Sequence, residues 1–445
     1  MGGKYIIYAP LHQVLALVNR QAAREICSCL QGESRGPASY STIINKLHTN
    51  GEEIHGSSTG PLNPAFLGII PTRGCNMACI YCDFAASKIH SPVMPLTQAR
   101  QAIEAFLLLQ QSNGRPLAEI HFFGGEPFVA DTVVHFAVEY ASLRASELGL
   151  GTFFEVTTNG LYNAARCQWI ADHFDSVVLS LDGPANIQDR QRPAANKKSA
   201  FAAVVQNARI LSAGPADLVL RACITNESVD CMEEIAAWFR REFQPSAVCF
   251  ETLSPSLLSM KSGLEPPDPW RFARNFYSAK KILDEGGIET VFSTAELNSC
   301  RSSFCLVGKD ALIVSPDGAI DACYLLPETW QARGPDMHLG RLQDGKLAVS
   351  QQALDRVRGL SVERRPLCAD CFCRYHCAGG CHVNHDTSGQ PGNYDAQCIQ
   401  TRLITILQLL DRLEQPRLRD EWLADRPSME ISVWQPNDRL RNGVL

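Results

Sequence analysis

Three cysteines, Cys75, Cys79 and Cys82, follow one another with three and then two residues between them. Thiolates at this spacing can wrap one corner of an iron–sulfur cubane, and Gly74 just before them lets the chain turn tightly. Three thiolates on four irons leave one iron open, and an open coordination position lets a metal bind substrate rather than only hold structure. The trio also suits a structural zinc ion with a fourth ligand elsewhere, such as His90, because thiolates serve both kinds of centre. These three residues alone do not separate the two chemistries.

A second cysteine field lies downstream. It runs Cys300, then Cys305-x12-Gly318-x4-Cys323, then Cys368-x2-Cys371-x5-Cys377-x3-Cys381, then Cys398. Cys373 falls inside this run but fits no position in it, and reads as a bystander. The pair Cys368-x2-Cys371 by itself would suit zinc. The chain holds eighteen cysteines, and its start, Met1-Gly2-Gly3-Lys4-Tyr5-Ile6, has neither an apolar signal-peptide core nor a myristoylation site. A reducing cytosol would not maintain a disulfide framework, so metal ligation or redox chemistry is the expectation. Cys27, Cys29, Cys167, Cys223, Cys231 and Cys249 are scattered through ordinary segments and read as buried small hydrophobes or incidental.

Elements must position these cysteines. Over 445 residues, 45% apolar and 20% charged content sit near globular averages, and the length implies two or three domains. A net charge of -6 and a pI near 6.0 carry no basic excess of the kind nucleic-acid binders show. No apolar run reaches the roughly 18 residues of a membrane span. The expectation is a soluble, cytoplasmic protein that binds neither nucleic acid nor membrane.

From Ala65 the chain alternates strands and helices. Strand-like runs are Phe66–Ile70, Glu119–Phe123, Phe153–Thr157, Val177–Leu181, Leu218–Ile224 and Val248–Leu253. Helical stretches lie near 96–112, 131–148, 163–174, 199–213, 230–243 and 269–284. Such units predict a parallel sheet with helices outside it, a partial barrel whose strand C-termini carry the chemistry. After about residue 290 only short segments stand between cysteines, a texture expected of a region that depends on metal to fold. A last amphipathic helix, Ile399–Leu413, precedes a polar tail.

The loops after the predicted strands carry further motifs. The first holds the cysteine trio, and the second holds Gly124-Gly125-Glu126-Pro127, where glycines permit close backbone approach and a carboxylate can face an ammonium. Thr157-Thr158-Asn159-Gly160 ends the third strand, and Ser180-Leu181-Asp182-Gly183-Pro184 ends the fourth. In this order the chain resembles the radical SAM superfamily over about residues 65–290. The resemblance implies that the open iron binds S-adenosylmethionine and that its reductive cleavage yields a 5′-deoxyadenosyl radical that abstracts hydrogen. It also implies cofactor contacts from Tyr81, Gly124, Gly125, Glu126, Pro127, Thr158, Asn159, Ser180, Asp182 and Arg192. The family's peptide-modifying branch usually continues with His-Asp-x-x-Arg. Here the segment is Gln188-Asp189-Arg190-Gln191-Arg192, so Arg192 remains a partner for the cofactor carboxylate and Gln188 receives no role.

The downstream cysteines resemble the SPASM extension of that superfamily. By this resemblance Cys305, Cys323 and Cys381 serve a first auxiliary cluster, with Cys300 placed to complete it, and Cys368, Cys371, Cys377 and Cys398 serve a second. The implied cofactors are three [4Fe–4S] clusters and S-adenosyl-L-methionine. The fold class expected is α/β: a partial (β/α)6 TIM-like barrel with a small N-terminal winged-helix-like module and a C-terminal cysteine-rich iron–sulfur domain. The expected division is residues 1–64, 65–290, 291–400 and 401–445.

The leading segment reads as strands Lys4–Ala9 and Gln13–Val18, a helix Arg20–Leu30, another near Tyr40–Leu47, and a linker Gly51–Pro64. It resembles the start of peptide-recognition modules, which bind a leader peptide as an added edge strand. A hairpin and helix that merely cap the barrel is the plainer alternative.

The branch with this extension matures peptides or proteins. The expected activity is maturation of a ribosomally made precursor peptide by hydrogen abstraction and intramolecular crosslinking (cyclophane, carbon–carbon, ether or thioether), with flavodoxin or ferredoxin as reductant. Sulfatase-maturating members carry an Asp base directly after the cysteine equivalent to Cys323, and this chain has Tyr324 there. Tyr324 and Asp321 are the candidate catalytic residues. The alternatives are maturation of a folded protein, such as a sulfatase or an amine dehydrogenase subunit, and a non-catalytic iron–sulfur protein of electron transfer or sensing.

Overall fold

The computed structural model describes residues 3–32, 38–49, 51, 54, 60–84, 91–305, 307, 310–386, 389–390 and 392–424. The first elements are a hairpin of β1 (Lys4–Ala9) and β2 (Val14–Asn19), followed by helices α1 (Arg20–Leu30) and α2 (Ser41–His48). Asn19 ends β2 and caps α1 by accepting from the Ala22 N–H at 2.8 Å. The hairpin forms its own two-stranded antiparallel sheet.

The alternating region folds as β3 (Leu67–Ile69), α3 (Leu96–Ser112), β4 (Leu117–Phe122), α4 (Asp131–Glu147), β5 (Gly151–Thr158), α5 (Ala164–His173), β6 (Ser176–Ser180), α6 (Ala185–Gln191), α7 (Phe201–Ala213), β7 (Asp217–Ile224), α8 (Met232–Glu242), β8 (Ala247–Thr252), α9 (Leu257–Ser262), α10 (Pro269–Asp284) and β9 (Glu289–Val291). In α3 the buried residues Ala99, Ala102, Ile103, Phe106, Leu107 and Gln110 recur at helical spacing, so one stripe faces the sheet. Asp268 caps α10 from the position before Pro269, where a missing N–H does no harm.

Beyond β9 come β10 (Leu312–Val314), β11 (Ala319–Asp321), α11 (Pro327–Arg333), β12 (His338–Gln343), β13 (Lys346–Val349), α12 (Gln351–Arg358), α13 (Arg374–Cys377), α14 (Ala396–Arg412) and α15 (Pro416–Ala424). All the strands after the hairpin join one sheet of eleven, in the order β13-β12-β11-β10-β3-β4-β5-β6-β7-β8-β9. The strands from β3 to β9 are parallel, and β10 adds a parallel partner to β3, so the parallel set exceeds the six units expected. β9 and β10 are three residues each, too short to show a period in the sequence. No helix among the described residues is long and apolar enough to cross a membrane.

The barrel strands have two unlike faces. Ile120, Phe122, Phe154, Val156, Val177, Leu179, Leu218, Leu220, Val248 and Phe250 are buried under the helices. The alternate residues, Glu119, His121, Glu155, Thr157, Cys223, Cys249 and Glu251, are only partly buried and point inward, and Arg221 on the same face is exposed. Parallel strands covered on both faces are ordinarily apolar throughout. A polar inner face therefore marks a solvated chamber.

Candidate active site

The cysteine loop leaves the C-terminal end of β3 and is held by the loop that follows β4. The Glu126 N–H donates to the Gly74 carbonyl at 2.8 Å and the Gly125 N–H to that of Thr72 at 3.2 Å. A Cβ at Gly125 would sit 2.2 Å from the Gly74 carbonyl oxygen, and one at Gly124, whose φ is +144°, 2.5 Å from that of Thr72. Two glycines are thus required where the loops touch. Pro127 then opens a short turn over Pro127–Ala130.

Backbone and side-chain N–H groups aim at the thiols. Met77 N–H donates to Cys75 Sγ at 3.4 Å, Phe84 N–H to Cys82 Sγ at 3.4 Å, and Asn159 Nδ2 to Cys75 Sγ at 3.5 Å. Arg192 Nη1 lies 3.9 Å from Cys79 Sγ. None of the three forms a disulfide. Burial pushes the Cys75 thiol up to about 12 and that of Cys79 to about 11, so a bound cation must displace their protons. Donors directed at these buried and part-buried sulfurs suit an iron–sulfur centre, whose potential such bonds tune. His90, the other ligand weighed for a zinc site, lies outside the described residues.

Glu126 is buried, and its carboxylate already accepts from Thr158 Oγ1 at 2.9 Å, Asn159 N–H at 2.7 Å and Phe128 N–H at 3.2 Å. Burial raises its pKa to about 7 despite these bonds. It therefore ties the β4 and β5 loops together, which the ammonium-facing reading of the sequence did not anticipate. Asn159 continues the lock through Asn76 Oδ1 at 2.8 Å.

Asp182 is the centre of a second lock. It is fully buried, accepts from Tyr81 Oη at 2.8 Å, Gln191 Nε2 at 2.7 Å and Cys223 N–H at 3.0 Å, and forms an ion pair with Arg192 at 2.9 Å. Arg192 also lies over the Tyr81 ring, 5.3 Å from its centre. Asp182 thus holds Tyr81 and Arg192 in place beside the cysteines and offsets the guanidinium charge. Gln188, without a role in the sequence, accepts from the Asp182 N–H at 2.8 Å. Ser180 is buried at the end of β6 and pairs in register with Arg221.

Of the two candidate catalytic residues, Tyr324 reaches the chamber. Its ring lies 4.7 Å from that of Phe123, and its buried hydroxyl has no hydrogen-bond partner among the described residues. Arg73, from the cysteine loop, donates to the Tyr324 carbonyl at 2.6 Å. Asp321 is buried and lies 2.8 Å from His338 Nδ1. Asp321 is in register with Ile313, itself in register with Gly68, so its carboxylate lies on the Gly68 side of the sheet, paired with His338.

The downstream cysteines fall into two groups. Cys305 and Cys381 each lie within electrostatic reach of Cys323. Cys368, Cys371, Cys377 and Cys398 line one hollow, together with Cys373, His385 and Arg402. Arg402 Nη1 donates to Cys371 Sγ at 3.4 Å. Cys300 acts on Tyr8, as does Cys373, so the structure sets it near the hairpin as well as near Cys305 in sequence. Arg365 stands between the two groups, feeling Cys368 and Cys377 on one side and Cys381 and Cys305 on the other.

Sequence reasoning missed the inner-face residues His121, Glu155, Arg221, Cys223, Cys249 and Glu251. Their signal was polar residues at every second position of strands that ought to be apolar on both faces.

Comparison with known proteins places this geometry. Residues 69–239 match the model of the radical SAM superfamily. The serine-type anaerobic sulfatase-maturating enzyme of Klebsiella aerogenes is 27% identical over 393 residues, covering 84% of this chain and 87% of that one. The solved structure of native anSMEcpe with bound AdoMet superposes with a TM-score of 0.60 at 17% identity, over 79% of this chain and all of that one. Streptococcus suis SuiB bound to precursor peptide SuiA superposes at 0.50 and 14% identity, over 86% and 95% of the two chains.

Proposed function

We propose that this chain, a radical SAM enzyme by its domain over residues 69–239, matures a ribosomally made precursor peptide by installing an intramolecular crosslink. In this reading Cys75, Cys79 and Cys82 hold the cofactor-binding cluster. Cys305, Cys323 and Cys381, with Cys300, hold one auxiliary cluster, and Cys368, Cys371, Cys377 and Cys398 hold the other. When bound, the cluster and S-adenosylmethionine supply a 5′-deoxyadenosyl radical that takes a hydrogen atom from the substrate.

The chain's own residues prepare that chamber. The Glu126 and Asp182 locks fix the loops that bound the cofactor, Asp182 holds the Arg192 guanidinium in place for the cofactor carboxylate, and the exposed Arg221 adds positive charge to the inner face. Tyr324 closes the floor on the β3 side. The protein works in the cytosol with a flavodoxin or ferredoxin as reductant.

The observation that carries the peptide reading is the N-terminal hairpin. It pairs with no other strand among the described residues, and Tyr8 at its end hydrogen-bonds and stacks with His376 beside Cys377. An extended leader can add to such an edge while the core peptide enters the chamber. The identity with a sulfatase-maturating enzyme favours a second reading, maturation of a folded sulfatase, but Tyr324 replaces the Asp those enzymes use. Anaerobic reconstitution with a short peptide encoded beside the gene, followed by mass analysis, separates them. Loss of two hydrogens supports crosslinking. Cofactor cleavage without a change in peptide mass, alongside oxidation of a sulfatase substrate, would establish the second reading.

A further inference from the structure

Outside the cysteine centres, a set of ionisable groups lies on the inner face of β3, β4 and β5. Gly68, His121 and Glu155 are successive register partners across these three strands, so they project to the same side. His121 Nδ1 stands 3.8 Å from Glu155 Oε1, and its Nε2 stands 3.7 Å from Glu119 Oε2. The ring stacks on Phe66 at 4.5 Å, which holds its two nitrogens toward the two carboxylates. Nε2 is buried without a hydrogen-bond partner among the described residues. An apolar side chain would fill this place with less desolvation, so packing does not account for a histidine between two acids.

Gly68, the register partner of His121, leaves room for the Tyr324 hydroxyl, which sits over it within electrostatic reach of Glu155. The His121 side chain is 16% exposed and stands between two carboxylates that reach solvent, Glu155 at 32% and Glu119, nearest the start of β4, at 42%. We propose that Glu155, His121 and Glu119 form a proton outlet from beneath Tyr324 to solvent at the N-terminal mouth of the barrel. The outlet rests on the peptide-crosslinking reading. Joining two peptide positions breaks two bonds to hydrogen and forms one new bond. One hydrogen leaves as an atom, taken by the 5′-deoxyadenosyl radical. The other leaves as a proton, while its electron passes to an iron–sulfur acceptor.

On that reading the cofactor and peptide would occupy the C-terminal mouth, so the proton would leave by another path. Each link in the column closes by a small side-chain rotation or through one water. The groups facing the column are Phe66 before β3, Glu119 on β4, Ser176 on β6, which hydrogen-bonds Glu155, Tyr324 with Cys323 beside it in the chain, and Asp321 on β11, in register with Gly68 through Ile313. Burial lowers His121 to about 4, and burial with the Glu119 charge raises Glu155.

Two measurements test the outlet. In the peptide-free holoenzyme, the infrared band of a protonated carboxyl that is lost in Glu155→Gln should titrate at a shifted pH in His121→Asn. An unshifted titration overturns the coupling. With wild-type crosslinking in hand, Glu155→Gln and His121→Phe should each lower the crosslinked product about tenfold or more. They should also raise the ratio of 5′-deoxyadenosine to product and enlarge the solvent deuterium isotope effect, with Glu155→Asp recovering part of the loss. Leu143→Ala, on the exposed side of α4, is the unaffected control. Product yield and isotope effect equal to wild type in both variants overturn the proposal. If the wild-type chain crosslinks no peptide, the functional reading falls, and the infrared titration still decides whether the column exchanges a proton.

Discussion

Tyr324 places its hydroxyl over the α-carbon of Gly68, so close that a Cβ there would lie 2.6 Å from Oη and 2.8 Å from Ile313 Cγ1. The missing side chain on β3 is what admits a ring from the cysteine-rich region into the chamber. Gly68→Ala should therefore displace the ring and cost about 1–3 kcal/mol in stability. Thermal unfolding of the holoenzyme checks this. Adding Tyr324→Ala to that chain should recover part of the loss, and simple additivity of the two changes would show that the contact does not matter.

Glu126 accepts from Asn159 N–H and Thr158 Oγ1 with different oxygens. In Glu126→Gln, one of those positions becomes an NH2 group facing a donor. An unmade buried hydrogen bond costs about 1–3 kcal/mol, so S-adenosylmethionine binding should weaken at least several-fold. Equilibrium binding to the reconstituted enzyme measures it. Unchanged affinity would mean that the loop lock is irrelevant to the cofactor.

The iron count follows from the cysteine grouping. The reconstituted chain should bind about twelve irons, and Cys75→Ala with Cys79→Ala and Cys82→Ala should leave about eight. Cys368→Ala with Cys371→Ala should lower the count by about four while the spectrum of the cofactor-binding cluster persists. Iron analysis and electron paramagnetic resonance read both, and loss of all iron in either variant would refute separate centres.

His121 gives the structure an acid-sensitive point. Its folded pKa, lowered to about 4 from the usual 6.5, lies below the unfolded value. Between these values the unfolded chain binds more protons, so stability falls as pH drops from 6.5 towards 4 and levels off below that. His121→Phe keeps the stack on Phe66 and should flatten the fall. Apparent melting temperatures of the two chains across that window decide it, and parallel curves would show that His121 is not the sensitive group.

The sequence alone determined what is local. Helix α3 begins and ends where its apolar period does, at Leu96 and Ser112, and the five longer parallel strands, β4 to β8, are legible because each is bounded by turn residues. The cysteine spacings carried the chemistry because ligands to one cluster recur at short intervals. What the sequence could not express is which distant segments meet. Asp182 ties Tyr81 to Cys223 through space, Asp321 is engaged by His338, and the short strands β9 and β10 exist only because β8 and β3 offer them edges. The inner face shows the same division most clearly. His121 and Glu155 are far apart in the chain and neighbours only across a parallel pair, and Tyr324 joins them only because Gly68 has no side chain. Periodicity reports which way a residue points. The order and register of the strands decide what it points at.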